Sequence, residues 1–203
     1  MERRNFLVSL GKCGLSASLL SIMPSVMAGE NNQAGTIPAE DDPTKIQHSC
    51  PEKMEFAEDW IRKFMGVLDE NLDETTRNRI MECNGKVCMT SYLKKEGKTI
   101  QPISFEKFTE WAGKNAKNGS IRVEGRSIYY VYMLNYQGKP APEETCLCPF
   151  VESKPKGLSH TYCQCSVGYV REYFSQILGQ PVKVTLQESV LRGGKRCRFK
   201  IDV

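Results

Sequence analysis

The stretch Ile121–Val131, "IRVEGRSIYYV", is where the periodicity of the chain changes. Ile121 and Val123 alternate with Arg122 and Glu124, Gly125-Arg126 turns the chain, and "SIYYVYMLNY" from Ser127 to Tyr136 is dense in β-branched and aromatic side chains. Alternation around a glycine turn predicts an antiparallel hairpin.

Upstream of this stretch the apolar spacing is helical. From Pro51, a residue suited to a first helical turn, Met54, Phe56, Ala57, Trp60, Ile61, Phe64, Met65 and Leu68 recur at helix period, and their Trp and Phe stripe is expected in the core. Asp73 is a good N-cap for a second helix running through Arg77 and Ile80 to Cys83, with a short segment containing Cys88 after it. Ser104, Phe105, Lys107, Phe108, Trp111 and Ala112 mark another helix, closed by the region Gly113 to Gly119.

Downstream, Gln137 to Glu144 reads as a polar loop. Thr145 to Val151 reads as a third strand that points Cys146 and Cys148 to one face. A helix is expected from Thr161 to Leu178, carrying Val167, Val170, Tyr173, Phe174, Ile177 and Leu178 on one side and stopped by Gly179. Two strands, Val182–Leu191 and Arg196–Val203, close the chain around Gly193-Gly194. The order predicts an α+β fold, with N-terminal helices followed by an antiparallel sheet and a long helix packed on it. Residues 51–203 form a single Cys-rich domain on this view.

The residues before the domain have a different character. Arg3-Arg4, a mild apolar run to Val26 and the small-residue pattern Val26-Met27-Ala28 suggest that residues 1–28 are a twin-arginine-type signal peptide. The twin-arginine export machinery is then a partner, and the folded chain is exported to the periplasm or the extracellular space. Lys12 and Pro24 break the apolar run, so no stable membrane span is expected in the mature chain. Residues 29–50, rich in Asn, Gly, Pro and Asp, read as a flexible leader. The formal charge of +4 shrinks when Arg3, Arg4, Lys12 and Glu2 leave with the signal, and a chain so near neutrality gives no reason to expect nucleic acid as a partner.

Of the nine cysteines, Cys13 goes with the signal, which leaves Cys50, Cys83, Cys88, Cys146, Cys148, Cys163, Cys165 and Cys197. "CLC" (Cys146, Cys148) and "CQC" (Cys163, Cys165) cannot readily close on themselves, because one intervening residue strains a disulfide. They can form long-range disulfides, as suits an exported protein. Alternatively they converge with Cys197 on one metal; zinc takes four sulfur or nitrogen donors, and an iron–sulfur cluster wants the same thiolates without the usual ferredoxin spacing. Unpaired packing thiols are the third alternative. Cys83 and Cys88 permit a disulfide across a turn at Gly85, a second clamp, or simply buried thiols. His160, three residues before Cys163, is either a ligand or proton carrier or a histidine at a helix cap.

From Thr145 onward the chain resembles the vinyl-reductase-like (4-vinyl reductase) ligand-binding domain of bacteriochlorophyll-synthesis proteins and aromatic-sensing regulators. The resemblance is carried by Cys163 five residues before Gly168-Tyr169, by "LGQPV" (Leu178–Val182), by Glu188 and by "RGGKRCRF" (Arg192–Phe199). It implies a zinc site of cysteines and a glutamate, with Cys163 and Cys197 as ligands and Glu144 or Glu143 as the acidic one. A further cysteine of that pattern falls at Ser189, and Cys146, Cys148 or Cys165 would supply the missing thiolate. In "CPFVE" (Cys148–Glu152), Cys165 and "GGKRCRF" the chain also resembles 2-aminothiazoline-4-carboxylate hydrolase-like proteins, which implies metal-assisted ring opening with Glu152 or Glu144 relaying a proton.

Three functions are therefore expected to compete. The first is an exported metal-binding domain that holds a small molecule between sheet and helices, its thiolates structural. The second is a metal-dependent hydrolase of a small cyclic amide or thiazoline, and the third a disulfide-stabilised exported protein without metal.

Overall fold

The structure, a computed structural model, describes residues 50–115, 119–132, 135–136, 139–140, 142–146, 148 and 157–203. The signal peptide and nearly all of the leader expected from the sequence lie outside the described residues.

Three helices come first: α1 (Cys50–Asn71), α2 (Glu74–Lys95) and α3 (Phe105–Lys114). Then come β1 (Ile121–Glu124), β2 (Ser127–Val131) and the short pair β3 (Asn135–Tyr136) and β4 (Lys139–Pro140). A 3₁₀ turn, His160–Cys163, runs into α4 (Gln164–Leu178), followed by β5 (Lys183–Glu188), a second 3₁₀ turn (Val190–Arg192) and β6 (Arg198–Asp202). The fold is α+β, as the order of periodicities predicts.

β1, β2, β6 and β5 form one antiparallel sheet in that order. The register lines up two apolar rows across all four strands, Val123–Ile128–Ile201–Val184 and Ile121–Tyr130–Phe199–Leu186. Side chains alternate across a sheet, so both rows face one side, where α3 and α4 cover them with Phe108, Val170, Phe174 and Ile177. The opposite face is polar, with the Arg122 guanidinium 4.6 Å from the centre of the Tyr129 ring.

The expected caps are present. Asp73 accepts a hydrogen bond from the Thr76 backbone N–H at 3.0 Å, Ser104 accepts one from the Lys107 N–H at 3.3 Å, and Gly179 ends α4 at φ 64°.

Four expectations change. The second helix does not stop at Cys83 but runs unbroken through Gly85 to Lys95, because Gly85 is a packing residue. α2 and α4 cross so closely that a Cβ at Gly85 would overlap the Cys165 carbonyl oxygen, and one at Gly168 would overlap the Glu82 carbonyl oxygen. The close packing of the two backbones offsets the roughly 1 kcal/mol that glycine costs a helix. Cys83 and Cys88 thus lie on one helix, both exposed free thiols, and no turn separates them.

The aromatic stripe of α1 is also not core. Phe56, Trp60 and Phe64 face outward, Trp60 at 54% exposure, with the Trp60 and Phe64 rings stacked at 5.1 Å. The inner face carries Ala57, Ile61, Met65 and Leu68 instead.

Thr145, Cys146 and Cys148 lie in no strand. At the chain end β5 stops at Glu188 after a bulge between Leu186 and Glu188, which turns Ser189 inward and leaves a longer connection than Gly193-Gly194 suggests.

Candidate thiolate centre

The 3₁₀ turn and the start of α4 divide the "CQC" pair. Cys163 ends the turn, buried, whereas Cys165 sits one step into the α-helix and faces α2, where Asn84 Nδ2 lies 3.6 Å from its sulfur. Residues two apart on a helix point to nearly opposite sides.

Cys163 faces the segment 142–148 and the connection 189–197. Three backbone and side-chain bonds tie those two segments together or to the sheet. Glu144 N–H donates to Lys195 O at 3.0 Å, Arg196 Nη1 to Pro142 O at 3.0 Å, and Tyr132 N–H to Cys197 O at 2.9 Å.

Cys146, Cys148, Cys163 and Cys197 are brought together by this arrangement. Burial is the largest influence on Cys146 and Cys163, pushing both thiols up to about 12, and burial raises Cys197 as well. Beyond burial, each of the six pairs within this set interacts electrostatically. Cys165, also pushed to about 12 chiefly by burial, instead interacts with Cys148 and Cys88.

Three of the four sulfurs meet a hydrogen-bonding group. The Cys148 backbone N–H serves Cys146, the Val190 backbone N–H serves Cys197, and Tyr162 Oη lies 3.1 Å from Cys148 Sγ. Ser189 is wholly buried next to Cys163, and its hydroxyl meets no hydrogen-bond partner among the described residues. Arg192 adds a favourable charge for a Cys163 thiolate. Groups of this kind orient thiolates and make them better ligands.

The sulfurs feel one another but are not gathered at bonding distance: among the described residues, no three His, Cys, Asp or Glu side chains converge closely enough to hold a metal as they stand. The set lies between two apolar clusters, with Cys197 packed against the sheet cluster and Cys146 and Cys148 against one built on Met65, Leu68, Met81 and Tyr162.

Glu144 is exposed, in the left-handed region at φ 57°, and is anchored through its backbone on Lys195. Glu143 pairs with Lys195 at 3.4 Å. Burial alone would raise the Glu188 carboxyl, but the Arg196 and Lys195 N–H groups and the Arg198 charge hold it below its usual range, so it locks the connection to β6. Glu152 lies outside the described residues. His160 is exposed on the far side of the 3₁₀ turn, lining a separate cavity.

Sequence reasoning missed Tyr162 and the Val190 N–H. Tyr162 stands between His160 and the thiol pair along the chain, but its part depends on the turn being 3₁₀.

These thiols give the metal-free, reduced protein a defined pH response. A group whose folded pKa exceeds its unfolded value contributes its stability in full below the unfolded pKa and loses it as pH rises. Stability is therefore expected to fall between about pH 9 and about pH 12, by roughly 1.4 kcal/mol per pH unit for each thiol that ionises in the unfolded chain alone. Urea midpoints measured from pH 8 to 11 check this, and a flat profile would place the thiols in water.

Fold and site together define an α+β domain with buried and half-buried free thiols between its two apolar clusters. The chain belongs to the family of unknown function DUF6144, whose model matches residues 39–203. No curated protein matches it.

Proposed function

We propose that this is an exported metal-binding domain in which Cys146, Cys148, Cys163 and Cys197 hold one zinc ion as a structural clamp, beside a site for a small molecule. The observation that supports this reading is a set of four buried or half-buried thiols on neighbouring segments that interact electrostatically pair by pair, three of them beside a hydrogen-bonding group. Zinc bound there would supply cohesion, because it favours deprotonated sulfur where burial alone disfavours it. Ser189, at the position where the vinyl-reductase-like pattern has a cysteine, supports Cys163 in place of acting as a ligand.

Four thiolates fill a tetrahedral zinc shell and leave no position for a water, so a structural role is favoured over ring-opening hydrolysis. Export rests on Arg3-Arg4 and Val26-Met27-Ala28, and the twin-arginine route suits a domain that acquires its metal before it leaves the cytoplasm. No helix among the described residues is long and apolar enough to cross a membrane.

The test is zinc titration of the reduced chain with alkylation mapping. One zinc per chain should protect Cys146, Cys148, Cys163 and Cys197, while the exposed Cys83 reacts. Protection of Cys165 in place of Cys163, or of no thiol, would sink the proposal. Visible absorption on reconstitution with iron and sulfide but no response to zinc would favour an iron–sulfur cluster.

A further inference from the structure

Two thiols outside the set assigned to zinc meet at the crossing of α2 and α4. Cys165, half-buried near the start of α4, turns toward α2, and Cys88, exposed, lies on α2 itself. The two helices run in opposite directions here: Glu82 meets Gly168, and nearly one turn further along α2 Gly85 meets the Cys165 carbonyl and the Tyr169 amide nitrogen. Continuing along α2 from Gly85 therefore leads toward the N-terminal end of α4, where Cys165 sits.

At about 100° per residue, Cys88 lies roughly 60° from the line through Gly85 that faces α4, on the same side as Asn84 at roughly 100°, whereas Cys83 lies roughly 160° away. Asn84, the less well directed of that pair, already brings its side-chain Nδ2 to 3.6 Å from the Cys165 sulfur. Cys88 stands one turn beyond Asn84 on the same side of the helix. The electrostatics agree, because Cys88 acts both on Cys165 and on Tyr169, one turn further along α4.

Helices usually pack with their axes about 8–10 Å apart, and a disulfide joins Cα atoms about 4.4–6.8 Å apart. Gly85 and Gly168 let α2 and α4 approach until their backbones touch, closer than ordinary side chains permit, which brings bridging within reach.

We infer that Cys88 and Cys165 are a redox-active pair that forms a reversible disulfide between α2 and α4 by exchange with a small-molecule disulfide. The exposed Cys88 sulfur attacks the incoming disulfide, forming a mixed disulfide and releasing one of its halves as a thiol. The Cys165 sulfur then attacks the Cys88 sulfur, closing the protein disulfide and releasing the second half. The two cysteines are oxidised, the incoming disulfide is reduced, and the two cysteine protons end on the two thiols released. Neither sulfur belongs to the proposed zinc set, so the inference goes beyond that reading and stands independently of the metal.

Treatment of the full reduced chain with oxidised glutathione, with and without zinc, tests it by peptide mapping. Trypsin cleaves after Lys86 and so separates Cys83 from Cys88. The peptide 87–94 should be found bridged to the peptide 157–171, with fragment ions placing the bond on Cys165 and not on Cys163, which the second peptide also carries. Because the bridge closes a long loop in the unfolded chain, it should raise the melting temperature by roughly 5–10 °C, and dithiothreitol should reverse the rise. Cys165→Ser should leave glutathione on Cys88 with no bridge, and Cys83→Ser should leave the bridge unchanged.

Glutathione that stays on Cys88 of the unsubstituted chain would overturn the inference, as would a disulfide from Cys88 to any other cysteine. So would a chain in which Cys83 reacts while Cys88 and Cys165 both remain reduced.

Discussion

Cys148→Ser is expected to abolish stoichiometric zinc binding and to lower the melting temperature of the zinc-loaded protein by more than any other single thiol substitution. Cys148 interacts with Cys146, Cys163, Cys165 and Cys197, and its sulfur lies 3.1 Å from the Tyr162 hydroxyl. A serine hydroxyl is a poor soft-metal ligand, and three remaining thiols would keep their protons in so buried a place. Where a metal site is structural, its binding free energy is folding free energy, on the order of 10 kcal/mol at neutral pH. Cys165→Ser, on the α2 side of the helix, should leave zinc content unchanged. Atomic absorption and calorimetric melting of both variants decide it: zinc retained by the first, or lost by the second, places the centre elsewhere.

Gly168→Ala is expected to destabilise the fold by about 3 kcal/mol or more, whether or not metal is bound. The new methyl group would overlap the Glu82 carbonyl oxygen, and backbone cannot move aside by changing rotamer. The helices must separate, loosening the crossing at which Arg171 pairs with Glu82 at 2.9 Å and Lys86 with Glu172 at 3.3 Å. For a domain of this size each kcal/mol moves the melting temperature by about 2–4 °C, so a fall of roughly 10 °C is the measurable result. Gly113→Ala in α3, where an added Cβ meets nothing within 4 Å, is the control and should be neutral or stabilising. Equal melting curves for the two variants would mean that the two helices have room to part at no cost.

Local signals are legible where one residue decides one outcome. Asp73 and Ser104 cap, Gly179 stops α4, and Ile121–Val131 folds into the hairpin that its alternation predicts. Legibility fails where tertiary neighbours choose between two local options. α1 carries two apolar stripes, and nothing within its sequence says that the aromatic one faces outward. Gly85 can break a helix or admit a partner, and only the close approach of the facing helix at Cys165 and Tyr169 decides for the second.

The candidate centre follows the same division. Spacing names Cys146, Cys148, Cys163, Cys165 and Cys197, yet separating Cys163 from Cys165 requires the 3₁₀-to-α junction. Glu144 stands at a suitable distance along the chain, and its exposed, left-handed conformation is not legible there. The cavity that His160 lines with Arg62 and Arg77 leaves no mark on the sequence, because its walls come from segments up to about a hundred residues apart.

The strand order β1-β2-β6-β5 also constrains how the molecule is made. β6 follows every other element in the chain, yet it occupies an interior place in the sheet, pairing Ser127–Val131 on one side and Lys183–Glu188 on the other. Until residues 198–202 emerge from the ribosome, β2 and β5 have no common neighbour, and the two apolar rows lack Phe199 and Ile201 at their middle. Helix α4 can form early, but the surface it must cover is completed by the latest-made element. Closure of this domain thus waits for β6, and until residues 198–202 are available the nascent chain carries an unfilled gap between two strands that only they fit.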